Sequence, residues 1–531
     1  MVRSVTRTRN SSALVGVCVA AAALVACGGG AAGGNVVSGG TFTMALSADP
    51  GNLDPQASAS SVNYQMSFLA YDPLLSVDGN GTIRSELATS WQVSGTTVTL
   101  TLKKGITCSD GSTFTAQTAA DNINYVANPK NSSPFAGIMI PAGAKASADA
   151  ATNMVTIALA GPAPFVLNGL GGVPMVCAKG MADRKILATA TDGTGPYQLT
   201  KATPGDQYAL AKRAGYTWGP NGASTARAGL PDKIVVRIIP NETTAANLLL
   251  SGQLNAAAIL GADATRLSAA NLFTDDVPIL SGETWFNQAP GRAGADPKVR
   301  LALAEAADFG QLEKVLTSGH GEPGTTFAAL APVACPGNSV AKALPAHNLN
   351  QAKALLDADG WTVGAGGIRS KNGQQLALTF VYDTEPGAPA SAAADLAVQQ
   401  WSQLGVKVTP TGQDDTTATN TMFTSGNWDV AWIPVNVSSP DQLVGFLSGP
   451  ASPGGDNFAH IDNPGYTSAV TSAEQKQGTA SCPQWLTAES GLVRDADVIP
   501  FANQVAKYFG AGAQFSVVGA LVPTSIRMTG E

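Results

Sequence analysis

The stretch from Tyr71 to Ala116 constrains the fold of this 531-residue chain more than any other stretch. Within it, the segment Thr97–Leu102 alternates Thr with Val and Leu, which is typical of a half-buried β-strand. Asp110-Gly111 is a tight-turn pair, because glycine adopts a positive φ without steric cost. Ser112 or Thr113 could then cap the helix that follows. The stretch therefore predicts short strands and turns that lead into a helix.

Composition limits the class of protein. The chain is longer than one hydrophobic core usually organises, which predicts two or three subdomains. It is 44% hydrophobic and only 13% charged, so it is able to build a large core. Its formal net charge is −7 and it has no basic stripe, which argues against a nucleic-acid partner.

The N-terminus predicts a targeting segment. Three arginines in the first nine residues precede an apolar run, Ala13–Ala26, that is too short to span a bilayer comfortably. The run ends in Leu24-Val25-Ala26-Cys27, which resembles a lipoprotein signal-peptidase box. We interpret residues 1–26 as a lipoprotein signal peptide. An ordinary signal peptide followed by a chance cysteine remains the alternative.

The residues after the cleavage box support the lipoprotein interpretation. Residues 27–39 are rich in glycine and carry no charge, as in a flexible tether. We expect Cys27 to be lipidated and to anchor the protein in a membrane. The expected location is the outer face of the cytoplasmic membrane, that is, extracytoplasmic or periplasmic.

Five ordered segments of the opening stretch match a known family. They are Tyr71-Asp72-Pro73-Leu74, Leu87-Ala88-Thr89-Ser90-Trp91, Leu102-Lys103-Lys104-Gly105-Ile106, Asp110-Gly111 and Phe114-Thr115-Ala116. In this order they resemble the extracellular solute-binding proteins of family 5, which serve ABC importers of peptides and nickel. Another β-rich domain is the less specific alternative. Further matches follow at Gly193–Tyr197, Asp296–Leu303 and Asn348–Trp361.

The resemblance implies an architecture. We expect an α/β, two-lobe periplasmic-binding-protein-like fold (type II, cluster C), with an extra β-rich subdomain at about residues 72–195. Lobe one would contain residues 40–284 and 500–531, and lobe two residues 285–499. Because the chain would cross between the lobes twice, the fold would contain a hinge.

Four cysteines remain after residue 27, and export permits disulfides. We favour the pairs Cys108–Cys177 and Cys335–Cys482, because each pair then stays inside one lobe of the implied fold. Free buried thiols are the alternative. No CxxC or clustered His accompanies the cysteines, so neither a metal site nor a cofactor is predicted.

The resemblance also implies where a solute would bind. The expected ligand-binding residues are Ala48, Asp49, Tyr197, Trp285, Asn287, Trp428, Trp432, Asn436, Asp441 and Asn457. Trp428 and Trp432 could form apolar walls or pack in the core. Asp49 could equally be a turn residue. Asp441 could cap a helix or supply a carboxylate, and we favour the cap.

Two charged anchors of peptide-binding relatives are missing. Alignment on Pro440 places Asn436 where those relatives use an Asp to bind the peptide amine, and the arginine for the peptide carboxylate is also absent near Ser391. A buried charge needs a partner. A longer peptide, a capped peptide or a neutral solute is therefore expected rather than a small zwitterion. On this reading, Asn436→Asp should raise the affinity for free-amine peptides.

The expected function is capture of an oligopeptide or peptide-like solute by hinge closure. The expected partners are the transmembrane subunits of an ABC permease with their ATPase, and the protein itself would be a monomer without enzymatic activity. No G-x-S-x-G elbow is present, and the three histidines lack metal-ligand spacing. The alternatives are a scaffold or regulatory lipoprotein that kept the fold, a carrier of a neutral non-peptide solute, or a nickel carrier.

Overall fold

The computed structural model describes residues 35–58, 60–364 and 366–530. The expected signal peptide, the lipidation site Cys27 and the tether up to residue 34 lie outside the described residues. Among the helices that are described, none combines the length and apolarity that crossing a bilayer requires.

The first part of the chain alternates strands with short helices. The elements are β1 Thr41–Leu46, α1 Ser61–Ala70, β2 Leu75–Val77, β3 Ile83–Ser85, β4 Ala88–Ser94, β5 Thr97–Leu102, α2 Ala116–Ala127, β6 Lys145–Asp149, β7 Met154–Ala158, α3 Val166–Gly172, α4 Ala178–Ala182, β8 Tyr197–Thr203, β9 Gln207–Lys212, β10 Lys233–Ile238, α5 Glu242–Leu250, β11 Ala256–Ile259, α6 Asp263–Ala269 and β12 Phe273–Phe286.

The second part contains the longer helices. The elements are α7 Pro297–Ala306, α8 Phe309–Leu316, β13 Glu322–Pro323, α9 Leu349–Ala358, β14 Thr362–Val363, β15 Arg369–Lys371, β16 Gln374–Gln375, β17 Ala377–Asp383, α10 Ala388–Gln403, β18 Lys407–Gln413, α11 Asp415–Asn420, β19 Val430–Trp432, α12 Val444–Ser448, α13 Pro464–Glu474, α14 Cys482–Arg494, β20 Val498–Gly510, β21 Ala513–Gln514, β22 Val517–Val518, β23 Ala520–Leu521 and β24 Arg527–Met528.

One large mixed sheet organises the molecule. Its strand order is β18-β17-β19-β12-β20-β11-β1-β10-β9-β8, and β13 adds to β20. Strands β12 and β20 have 14 and 13 residues and pair antiparallel along most of their length. Near residues 280–283 the register of β12 against β20 shifts. Each end of the sheet contains a parallel group: β10, β1 and β11 at one end, and β18, β17 and β19 at the other.

A separate four-stranded antiparallel sheet lies within the first part of the chain, in the order β4-β5-β7-β6. Its apolar residues form a core of their own with α2. Strand β5 has the predicted bounds, Thr97–Leu102. The predicted cap at Ser112 or Thr113 is wrong, because Thr115 caps α2 and accepts a hydrogen bond from the amide of Thr118 at 3.2 Å.

Both favoured disulfides are present in the structure. Cys108 bonds Cys177, which ties the turn before α2 to the start of α4. Cys335 bonds Cys482 at the start of α14, across 147 residues of chain. Each bond therefore fixes segments that are distant in the sequence.

Candidate functional site

The carboxyl ends of β17 and β19 point to the place where a solute could bind. These strands run parallel to each other, with Tyr382 opposite Trp432 at their ends. In α/β sheets, ligands bind outside the carboxyl ends of such strands. The chain leaves β19 through residues 433–442, which we call the site loop. We describe the candidate site around this loop and the adjoining part of β12.

Asn436 joins the site loop to strand β12. Its side-chain oxygen accepts a hydrogen bond from the amide of Leu280 at 2.8 Å, and its side-chain nitrogen donates to the carbonyl of Leu280 at 2.9 Å. Both ends of the amide therefore contact the backbone of one residue. This arrangement gives Asn436 a structural role in holding the loop.

The structure separates Trp428 from Trp432, the two tryptophans for which apolar walls and core packing were both considered. Trp428 is buried in the core that contains Trp285, whereas Trp432 is buried in the core that contains Trp401. Trp432 packs against Phe380, with ring centroids 4.9 Å apart. Both indoles therefore pack in hydrophobic cores, and these cores are different ones.

Trp285 belongs to an aromatic cluster beside the site loop. The cluster consists of Trp285, Phe423, Trp428, Phe446 and Phe458, with neighbouring ring centroids 4.7–6.3 Å apart. The indole N–H of Trp285 donates to the carbonyl of Ile433 at 3.0 Å, so the cluster is connected to the loop. Phe423 and Phe446 are only partly buried. The cluster therefore presents some aromatic surface.

Asp441 lies at the end of the site loop. The favoured role of Asp441 as a helix cap is wrong, because Ser439 is the N-cap of the short helical turn Pro440–Leu443 and Asp441 lies inside it. The Ser439 hydroxyl donates to the Asp441 carboxylate at 2.5 Å. Burial raises the pKa of Asp441 to about 6. The next residue, Gln442, contacts the sulfur of Met139 at 2.9 Å, so the loop touches the part of the chain that contains the separate four-stranded sheet.

Asn287 and Asn457 stabilise the backbone around the cluster. The Asn287 side chain donates to the carbonyl of Trp428 at 2.9 Å. The Asn457 side chain both donates to and accepts from the backbone of Ile461 at 2.9 Å. Both asparagines are buried, and these contacts give them a structural role.

The remaining expected residues lie at the other end of the large sheet. Ala48 is exposed in the loop after β1. Asp49 accepts a hydrogen bond from the hydroxyl of Tyr208 at 2.9 Å, and Tyr197 is buried with its hydroxyl donating to the carbonyl of Pro231 at 3.0 Å. In the strand order, three strands (β12, β20 and β11) lie between β19 and β1, and β9 and β8 lie farther still. The structure thus does not gather all ten residues at one point.

Glu283 is a functional candidate that the sequence reasoning missed. Its side chain is fully buried, and one carboxylate oxygen, Oε2, accepts hydrogen bonds from the amide of Val435 at 2.9 Å and from the indole of Trp285 at 3.1 Å. Burial raises the pKa of Glu283 to about 8. The only signal in the sequence was that this acidic residue lies two positions before Trp285, close to the point where the chain was expected to cross between the lobes.

A second carboxyl group lies near Glu283. Glu489 on α14 is buried and accepts a hydrogen bond from the Ser339 hydroxyl at 2.6 Å. Burial raises its pKa to about 7, and its charge further raises the pKa of Glu283. The interior beside the aromatic cluster therefore contains two buried carboxyl groups.

Comparison with known proteins identifies the family. Residues 82–456 match the model of the bacterial extracellular solute-binding proteins, family 5. The chain belongs to this family. The glutathione-binding protein GsiB of Salmonella typhimurium is 26% identical over 382 residues, which cover 70% of this chain and 69% of that protein. GsiB of Escherichia coli (strain K12) is 25% identical over 422 residues, which cover 77% of this chain and 75% of that protein.

Solved structures show that this family 5 protein has the two-lobe α/β fold. A substrate-binding protein from Microbacterium hydrocarbonoxydans, complexed with 4-hydroxybenzoate hydrazide, aligns with a TM-score of 0.77 at 24% identity, covering 92% of this chain and all of that chain. The oligopeptide-binding protein AppA from Bacillus subtilis, in complex with a nonapeptide, aligns with a TM-score of 0.78 at 15% identity, covering 93% and 100%. At these identities the similarity supports a conclusion about the fold only.

Proposed function

We propose that this family 5 protein captures a peptide or peptide-like solute between its two lobes and delivers it to an ABC permease with its ATPase. The main supporting observation is the arrangement of β12 and β20. These two long, adjacent strands join the β1 end of the sheet to the β17 end. A small change in backbone angles near residues 280–283, where the register already shifts, would rotate one end against the other.

The lobe boundaries proposed here follow the same two strands. Lobe one consists of residues 40–284 and 500–531, and lobe two of residues 285–499. The separate four-stranded sheet is the extra subdomain of lobe one. A solute that contacts both lobes only in the closed state would favour that state.

Contacts beyond the two crossing strands support closure. Phe165, from the first part of the chain, is buried in the same core as Trp285 and Phe458. The carbonyl of Pro164 accepts a hydrogen bond from the amide of Gly478 at 3.3 Å. Together with the contact between Met139 and Gln442, these interactions support the proposal that the two lobes are closed against each other.

The proposed solute class comes from the relatives and from the site loop. The relatives include proteins named for binding glutathione and proteins solved with a nonapeptide or the peptide STSA. Peptide-like solutes suit a loop that offers backbone groups next to a partly exposed aromatic cluster. We further propose that a lipid on Cys27 keeps the monomeric protein at the outer face of the membrane, close to its permease. One acyl chain binds weakly, so more than one is expected.

Native mass spectrometry of the mature protein, purified from its own host without unfolding, tests the function. A retained peptide-like mass supports the proposal, and a retained non-peptide mass would redirect the solute class. Melting temperature measured with glutathione and with defined peptide pools provides a second readout, because a ligand that binds only the folded state raises it. An empty protein whose melting temperature does not respond would contradict solute capture.

A scaffold or regulatory lipoprotein is the second candidate. One observation favours it: Phe165 already fills part of the core beside the site loop, so the closed arrangement is stabilised by the protein's own side chain. The empty and unresponsive outcome above would support this candidate.

A further inference from the structure

Glu283 has one carboxylate oxygen without a partner. Oε2 accepts from Val435 and Trp285, whereas Oε1 is buried and no hydrogen-bond donor among the described residues reaches it. Glu283 also takes no part in any ion pair that the described residues form, and the same holds for its acidic neighbour Glu489. A buried carboxylate normally has a cation or several donors around it. Glu283 is therefore a buried acid whose second oxygen has no partner among the described residues.

The place of Glu283 in the fold relates it to the solute. It lies on β12 immediately after the register shift, on the face that carries Trp285 and the aromatic cluster. Through Val435 it contacts the site loop one residue before Asn436, the position at which the resemblance placed an amine-binding carboxylate. The chain thus lacks that carboxylate on the loop but has one on the adjoining strand.

We propose that Glu283 is a specificity-determining residue that binds a positively charged nitrogen of the solute, such as a protonated amine, through its free oxygen Oε1. This inference rests on the proposed function and makes its solute class narrower. It also replaces the expectation of a neutral or capped solute. The positive charge would offset two buried acids, Glu283 and Glu489, that have no basic partner among the described residues.

A purely structural role does not require this side chain. The two hydrogen bonds to Oε2 need only an acceptor, which a glutamine side chain supplies equally well. A neutral acceptor on the solute would also be served by a glutamine amide. Only a cationic solute group requires the carboxylate, so Glu283→Gln separates the two roles.

The molecule provides a matched control. Glu305 on α7 is also a buried glutamate, its Oε1 accepts from Gln351 at 2.9 Å, and its Oε2 has no partner among the described residues. It lies in a different element from the site loop and its aromatic cluster. Glu305→Gln therefore removes the same charge from a similarly buried position away from the proposed site.

The test uses two defined tetrapeptide pools of the same composition, one with free N-terminal amines and one N-acetylated. Binding to the mature wild type, Glu283→Gln and Glu305→Gln is measured by titration calorimetry and by shifts in melting temperature. We expect the wild type to bind the free-amine pool at least tenfold more tightly, Glu283→Gln to lose this preference, and Glu305→Gln to keep it. A free-amine preference that persists in Glu283→Gln would overturn the role of Glu283.

The solute retained from the host distinguishes this proposal from the proposed function. A retained solute with a basic nitrogen, present in wild type and Glu305→Gln but lost from Glu283→Gln, supports both. A retained solute without any basic nitrogen would keep solute capture and overturn the role of Glu283. Failure of every protein to retain or bind any solute would overturn both.

Discussion

Replacing Glu283 with glutamine is expected to change how the stability of the protein depends on pH. In the folded protein the pKa of Glu283 is about 8, compared with an ordinary value of 4.5, because the carboxyl is fully buried beside Glu489. Between these values the folded protein holds a proton that the unfolded chain has released. Raising the pH through this range therefore favours the unfolded chain and lowers the free energy of unfolding, and above about pH 8 the loss levels off. The difference between the two pKa values corresponds to a loss of about 5 kcal/mol in the free energy of unfolding.

The comparison of wild type with Glu283→Gln isolates this effect, because Glu489 and all other groups titrate in both proteins. Between pH 5 and pH 8.5 the free energy of unfolding of the wild type should fall by about 4 kcal/mol relative to that of the variant. Chemical denaturation followed by tryptophan fluorescence at several pH values measures it, and Glu322→Gln, at an exposed position, controls for loss of one negative charge. Parallel stability curves for wild type and Glu283→Gln would refute the reasoning.

Four further outcomes are expected. At pH 7, binding of free-amine peptides to the wild type should release up to one proton as Glu283 ionises, which calorimetry in buffers of different ionisation enthalpy detects; equal enthalpies in all buffers would contradict this. Asn436→Asp should lower the free energy of unfolding by about 1–3 kcal/mol rather than create an amine site, since a carboxylate oxygen would face the carbonyl of Leu280; unchanged denaturation midpoints would argue against it. Phe165→Ala should open the solute-free protein, visible as a larger radius of gyration in X-ray scattering, while an unchanged radius would show that this contact does not hold the lobes together. Removing the Cys335–Cys482 bond by a double serine substitution should cost about 4–5 kcal/mol of stability, because the bond closes a long loop, and denaturation without reductant measures it.

Local patterns were sufficient to predict many elements of the fold. The period-two alternation at 97–102 predicted β5. Helix α7 also begins with a recognisable signal, because Asp296 accepts a hydrogen bond from the amide of Lys298 and Pro297 is the first helical residue. Helix α10, by contrast, begins at Ala388 after Gly387, without a side-chain cap that would mark its start in the sequence. Elements with caps and clear periodicity were thus easier to predict than those that depend on tertiary contacts.

The candidate site was harder to predict, because its contacts join residues distant in the sequence. Alignment located Asn436, but only the structure shows that its amide is bonded to Leu280, 156 residues away. Glu283 was not predictable from the sequence, because its significance depends on Val435, which is 152 residues away. A resemblance transfers positions one at a time, and it does not reveal a carboxylate that lies on an adjoining strand.

The position of β20 has a consequence for how this chain folds as it is made. Residues 498–510 follow every other strand of the large sheet in the chain, yet β20 lies in the middle of that sheet, between β12 and β11. Until it arrives, both neighbouring strands have an unpaired edge, and unpaired edges promote association with other chains. The emerging polypeptide should therefore depend on being kept apart from other chains until β20 is available. Truncation before residue 498 should yield an aggregating chain rather than a smaller binding protein.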